Sequence, residues 1–291
     1  MNQPILSRIG TKRDLLFAEI AQVSESAPDR QALFEPDGFG FSYGQVWTML
    51  ETLRALLEAQ GILAHEVVAV VLPDALCCLI SILGVARVCA CAPINPAIAE
   101  AELEKDLVEL GAVAVLIAHE NKTFSAVGAR LGLLVIDASL NESAGSWRVH
   151  VAAAAMRRSE VLLPGGTALL LHTSATTGRR KVVPLTDGNL EAMLGNTSRS
   201  LQLRRDDRLL LMARLFHIQG ILGAWAQLRA GGCVIAGLEY SPHGFQRWMV
   251  TQSPTWYTGG RRCIERLSQT LGLTRYRCRL RCALRDRAGL S

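Results

Sequence analysis

The sequence predicts an α/β fold in which layered, mostly parallel sheets carry helices on both faces. Three observations predict it. Short segments that are apolar at every position recur along the chain, the pattern of parallel strands covered on both sides. Segments with apolar residues at helical spacing separate them. Apolar residues make up 49% of the 291 and charged residues 20%, enough for a large core and incompatible with a disordered or small disulfide-stapled chain.

Residues 13–25 read as one helix, closed before Pro28. Ala32–Glu35 and Phe39–Phe41 flank Pro36-Asp37-Gly38, the composition of a hairpin turn. Ser42 and Gln45 form a capping-box pattern, and Val46, Leu50, Leu53 and Leu57 then recur at helical spacing up to Gly61. Val67–Leu72 is an apolar strand, and Asp74 caps the helix that follows. Ala99–Leu110 is an amphipathic helix, with strands at Ala112–Ile117 and Leu133–Ile136. Residues 138–164 read as a connection, and the pattern restarts with the strand Ala168–His172. This places a first α/β subdomain, with an N-terminal helix and a linker, over 1–160 and a second over 161–291.

Several function classes fall away on charge and composition. The net charge is +5, but residues 261–291 alone hold nine arginines against Glu265 and Asp286. A near-neutral body with one basic end is not a nucleic-acid-binding face. The N-terminus lacks a charged start followed by an apolar core, so no signal peptide is expected. The uncharged run Ala75–Ala86 is shorter than the ~20 residues of a membrane span. The eight cysteines lack the paired spacing of a zinc site and read as reduced, mostly buried thiols. A cytoplasmic protein with no metal-ligating residues is the expectation. His65, His119, His150 and His243 read as surface or loop residues.

Only four lysines occur: Lys12, Lys105, Lys122 and Lys181. Lys181 ends the stretch most informative about chemistry, in which a strand runs into Thr173-Ser174-Ala175-Thr176-Thr177-Gly178-Arg179-Arg180-Lys181. Small residues let backbone N–H groups approach an anion, hydroxyls add donors, and the lysine supplies a compact charge for phosphate. The common P-loop places its lysine directly after glycine and opens a helix there. Here Lys181–Leu185 is strand-like and a helix begins only near Asp187.

The loop and the Val182–Leu190 segment after it resemble the signature of the adenylate-forming superfamily, which includes acyl-CoA synthetases and peptide-synthetase adenylation domains. Further matches are Arg214-Leu215-Phe216-His217-Ile218-Gln219-Gly220, Leu228–Val234, Cys91–Pro96 and Pro254–Thr258. The resemblance implies the incomplete N-terminal domain of that fold, with the small C-terminal domain absent from residues 1–291. It implies a two-step ligase: a carboxylic acid attacks Mg·ATP to give an acyl-adenylate, and a thiol, of CoA or of a carrier protein, then takes the acyl group. Thr173, Ser174, Ala175, Thr176, Thr177 and Gly178 would cradle the phosphates with Lys181 as charge partner. His217 and Gly220 would line the acyl pocket, and Lys181 and His217 would serve catalysis. Mg2+, ATP and CoA are the implied cofactors, and a small or fatty acid the implied substrate.

Ala175, Arg180 and Arg214 depart from the family's usual glycine and prolines, and arginines interrupt the strand-like segment 279–291. These departures carry the alternative, a non-catalytic remnant or an ATP-binding interaction module. An exposed sheet edge near residue 291 would offer a surface for a second copy.

Overall fold

The computed structural model describes residues 11–36, 38–141, 146–154, 158–159, 161–173, 181–236, 242–259 and 281–282, of which 242, 243, 281 and 282 are described in backbone only. The loop residues Ser174, Ala175, Thr176, Thr177 and Gly178 lie outside these, as do Cys263, Cys278 and most of the arginine-rich segment.

The described residues open with two short helices, α1 (Lys12–Leu15) and α2 (Ala18–Ser26), where the sequence suggests one. The reason lies between them. Leu16 and Phe17 are buried, and the Leu16 carbonyl accepts a hydrogen bond from the indole N–H of Trp225 at 3.1 Å, which takes it out of the helical ladder. The hairpin β1 (Gln31–Phe34) and β2 (Gly40–Ser42) leads into α3 (Tyr43–Ala59), whose capping box joins Ser42 and Gln45 as expected. Then follow β3 (Val67–Val71), α4 (Ala75–Ala86), β4 (Ala90–Pro93), α5 (Glu100–Glu109), β5 (Ala112–Ala118), α6 (Lys122–Arg130) and β6 (Leu134–Asn141). The Asp74 carboxylate caps α4, accepting the Cys77 N–H at 2.6 Å.

Residues 146–154 form a strand, β7 (Ser146–Ala154), antiparallel to β6, so the region read as a connection contains a hairpin. Its partly buried Trp147, Val149, Val151 and Ala153 alternate with more exposed neighbours, the period-2 signature of a strand covered on one face. The chain continues through β8 (Thr167–His172), β9 (Val182–Thr186), α7 (Asp187–Leu201), β10 (Arg208–Leu211), α8 (Ile218–Arg229), β11 (Cys233–Ala236), α9 (Pro242–Thr251), β12 (Trp256–Thr258) and β13 (Arg281–Cys282).

Two sheets result. One has seven strands in the order β7-β6-β5-β3-β4-β8-β9, parallel in the middle with antiparallel β7 and β9 at its edges. The other has six, β13-β12-β10-β11-β1-β2, parallel except for β2. The division between the sheets does not fall at residue 160. The β1–β2 hairpin joins the sheet of the later strands, and β8 and β9 complete the sheet of the earlier ones.

Helices cover both faces of both sheets. Val67, Ala69 and Val71 of β3 face α5 and α6, whereas Val68 and Val70 face a core shared with α3, α4, α7, α8 and the six-stranded sheet. On the far face of the six-stranded sheet, Phe34, Leu210 and Ile235 pack against Phe245 and Trp248 of α9. Helix α4 lies inside the shared core and is buried at every position from Leu76 to Ala86, as a helix apolar on all sides should be. Gly84 permits its closest approach to α3, because a Cβ there would stand 2.8 Å from Leu53 Cδ2.

No helix among the described residues is long and apolar enough to cross a membrane. Cys77, Cys78, Cys89, Cys91 and Cys233 are free thiols and buried, as expected for the described cysteines, and burial pushes Cys77 and Cys89 up to about 12.

Candidate active site

The loop expected to hold phosphate connects β8 to β9 at one edge of the seven-stranded sheet, at the carboxyl end of β8. In open α/β sheets ligands bind at the carboxyl ends of strands. Its two ends are tied together: the Thr173 N–H donates to the Lys181 carbonyl at 2.9 Å, and the Lys181 N–H donates to Thr173 Oγ1 at 3.2 Å. Thr173 therefore closes the base of the loop, and its hydroxyl accepts there while keeping its own proton to donate. Lys181 is exposed, and among the described residues no carboxylate pairs with its ammonium. An exposed ammonium is placed to pair with an anionic ligand.

The strands flanking the loop are anchored from far away in sequence. Arg13 of α1 is buried; its Nε donates to the Asp187 carboxylate at 3.1 Å and its Nη2 to the Thr167 carbonyl at 2.7 Å. Thr167 begins β8, and Asp187 begins the helix that β9 feeds. The Asp187 N–H also donates to the Gly166 carbonyl at 2.8 Å, and Thr186 and Asn189 close a capping box on α7. One guanidinium thus holds both outer ends of the hairpin. Sequence reasoning missed Arg13, because nothing local marks a residue whose partners lie more than 150 positions away.

His217 is the N-cap residue of α8, at the turn that leaves β10. Its ring lies against Phe216 with centroids 4.5 Å apart, and no hydrogen bond from its side chain caps the helix. Partial burial, and then the positive charge of Arg214, lower its pKa below the usual imidazole value, which favours the neutral form. Gly220 donates its N–H to the His217 carbonyl at 3.1 Å. It is buried, and a Cβ there would stand 2.7 Å from the Arg214 carbonyl oxygen, so the helix can approach the preceding turn only with glycine. Gly220 therefore shapes the turn that presents His217. Gln219 extends from the same turn to the Gly259 carbonyl at 3.3 Å, beside the carboxyl end of β12.

The structure thus brings Thr173 to Lys181 and His217 to Gly220. No hydrogen bond or ion pair among the described residues joins one pair to the other. The two sit on α/β units whose helices pack together: Leu190 and Leu194 of α7 share a core with Ile221 and Trp225 of α8. Arg229 at the end of α8 also bridges Glu191 of α7 and Glu19 of α2.

A family model described as "AMP-binding enzyme" matches residues 20–281. The chain belongs to the AMP-binding enzyme family. Its match takes in both described parts of the candidate site. Among curated relatives, the chain is 30% identical over 255 residues to an oxalate–CoA ligase of Arabidopsis thaliana, covering 84% of this chain and 50% of that protein. It is also 30% identical over 254 residues to a sulfoacetate–CoA ligase of Cupriavidus necator, covering 84% and 49%. The chain spans about half the length of the curated relatives it matches. Among solved structures, ATP-bound MatB from Rhodopseudomonas palustris superposes with a TM-score of 0.71 at 20% identity, over 87% of this chain and 51% of that one. The AMP-binding fold expected from the sequence, as an N-terminal portion, is the fold present.

Proposed function

We propose that this chain carries the triphosphate-binding and acyl-pocket half of an acid–thiol ligase. In the reaction, a carboxylate oxygen of the acid attacks the α-phosphorus of Mg·ATP. The bond from that phosphorus to the bridging oxygen breaks, and pyrophosphate leaves. A thiol sulfur, of CoA or of a carrier protein, then attacks the acyl carbonyl; AMP departs and the thiol proton passes to solvent. The nucleophile in the first step is the substrate itself, so the protein's part is to position and neutralise phosphate. Lys181 supplies the charge for the β- and γ-phosphates, Thr173 holds the loop's ends together, and residues 174–178 contribute N–H groups and hydroxyls. His217, held neutral, borders the acyl group, and Gly220 fixes its turn.

The observation that carries this reading is the loop clasped between β8 and β9, with the Lys181 ammonium exposed and unpaired among the described residues. The CoA-ligase activities in the relatives' names support a CoA-type acceptor. The test is calorimetric titration with Mg·ATP, followed by acid-dependent exchange of labelled pyrophosphate into ATP. Saturable binding that Lys181→Ala weakens is the expected result, and absence of binding overturns the proposal. Binding without exchange assigns nucleotide binding to this chain and the chemistry to a longer protein.

A further inference from the structure

We propose that His119, Asp137 and His150 form a binding site for one divalent first-row transition-metal ion of the class that favours imidazole, such as Zn2+ or Ni2+. The three residues come from separate elements. His119 follows the end of β5, Asp137 lies on β6 and His150 on β7. The antiparallel register sets His150 directly opposite Asp137, and the parallel register pairs Asp137 with Ile117, two residues before His119. The two-residue strand period then brings all three side chains to one face of the sheet.

The distances suit a shared ion. His119 Nδ1 is 2.8 Å and His150 Nε2 3.7 Å from the same Asp137 oxygen, Oδ2, and the donor atoms all lie within 4.8 Å of one another. An ion with four ligands at ~2.0–2.1 Å sets them ~3.3 Å apart, so modest rotation of two surface rings completes the geometry. Both rings are at the surface, with side chains 55% and 56% exposed, and His119 Nδ1 already hydrogen-bonds the carboxylate.

Charge supplies a second, independent argument. The Asp137 side chain is only 7% exposed, and among the described residues no lysine or arginine pairs with it. A buried carboxylate needs a cation or a metal, and here its partners are two imidazoles, the commonest protein ligands of transition metals. Two nitrogens and one oxygen favour Zn2+, Ni2+ or Cu2+ over Mg2+ and Ca2+, which take oxygen ligands. The exposed side of the cluster leaves room for water to complete the shell.

The site is separate from the proposed nucleotide site. In the strand order, β3 and β4 stand between β5 and β8, and the phosphate loop leaves from β8. A bound ion would pin the edge strand β7 to β6 and to the end of β5, where β7 is hydrogen-bonded on one side only among the described residues.

The test uses the whole chain, stripped with a chelator and titrated calorimetrically with Zn2+. Co2+ serves as a second probe, because its visible absorption reports imidazole coordination. One equivalent should bind, and His119→Ala and His150→Ala should each weaken binding at least tenfold. The exposed His65→Ala, outside the cluster, should leave it unchanged. Both cluster histidines are on the surface, and circular dichroism verifies that the variants fold. No saturable binding overturns the proposal. So does binding that survives both substitutions, which would place the ion elsewhere, on thiols for example.

Discussion

The seven-stranded sheet ends in an antiparallel hairpin on each side, and the two hairpins are held differently. At one edge, β8–β9 is clamped from outside by Arg13, whose guanidinium reaches the start of β8 and the helix after β9. At the other, β6–β7 is held by its own ladder, with a buried carboxylate opposite two surface imidazoles. The first hairpin has a fixed cation built into its frame and presents a second, Lys181, to solvent. The second has a buried carboxyl group and no lysine or arginine among its described partners. The edge that carries the β8–β9 loop is tied by an always-charged arginine. One that carries imidazoles against a buried carboxylate is open to metal.

The largest effect should come from Arg13→Ala. Removing one partner of a buried pair costs ~3–5 kcal/mol, and the Thr167 carbonyl and the Asp187 carboxylate would lose their partner. The urea midpoint should fall steeply, and hydrogen exchange should accelerate first in β8 and β9. If exchange rises uniformly instead, Arg13 is a general stabiliser and the contrast between the edges fails.

Lys181→Ala should leave the urea midpoint unchanged and weaken Mg·ATP binding ~10- to 100-fold, the worth of a hydrogen bond to a charged group at ~1.5–3 kcal/mol. Thr173→Val keeps the shape and removes the hydroxyl that accepts the Lys181 N–H. A neutral hydrogen bond is worth ~1 kcal/mol, so nucleotide affinity should drop about fivefold with no change in the charge at the loop. Equal losses in the two variants would mean that the clasp, not the charge, governs binding.

The smallest effect concerns pH. The His217 pKa is lowered in the fold from its ordinary value of 6.5. Between the lowered value and 6.5 the unfolded chain holds more protons than the folded one, so stability falls as pH drops through that window. His217→Gln should flatten this slope, read from urea midpoints at pH about 7.5 and about 5.5, on either side of the imidazole range. An unchanged slope would assign the acid sensitivity to another group.

Much of the fold was legible where local chemistry decides local structure. Ser42 with Gln45, and Asp74, cap their helices as hydroxyl, amide and carboxylate side chains do anywhere. The runs 67–71 and 112–118 are apolar at every position because both their faces are covered. The β7 strand was missed because the alternation of Trp147, Val149 and Val151 is flanked by small residues: Ser146, Ala152 and Ala154 look like linker composition until β6 is placed beside them. The single helix read over 13–25 was divided by a tryptophan from α8.

The candidate site shows the same limit. Lys181, Thr173, His217 and Gly220 were singled out by motif, and the structure adds local contacts that the motif does not show. Thr173 ties the loop shut, and Gly220 makes room for a carbonyl. The histidines at 119 and 150 were placed correctly on the surface, but one at a time, without the carboxylate between them.

Taken alone, the sequence determined many of the strands and helices, where several helices begin, and the family. Each follows from residue type and spacing within about 20 positions. Tertiary structure decided which strands sit side by side, that Arg13 clamps the β8–β9 hairpin, and that His119, Asp137 and His150 converge. Those depend on strand order and register, which arise when distant segments bury their apolar faces together, and no local pattern encodes the partner.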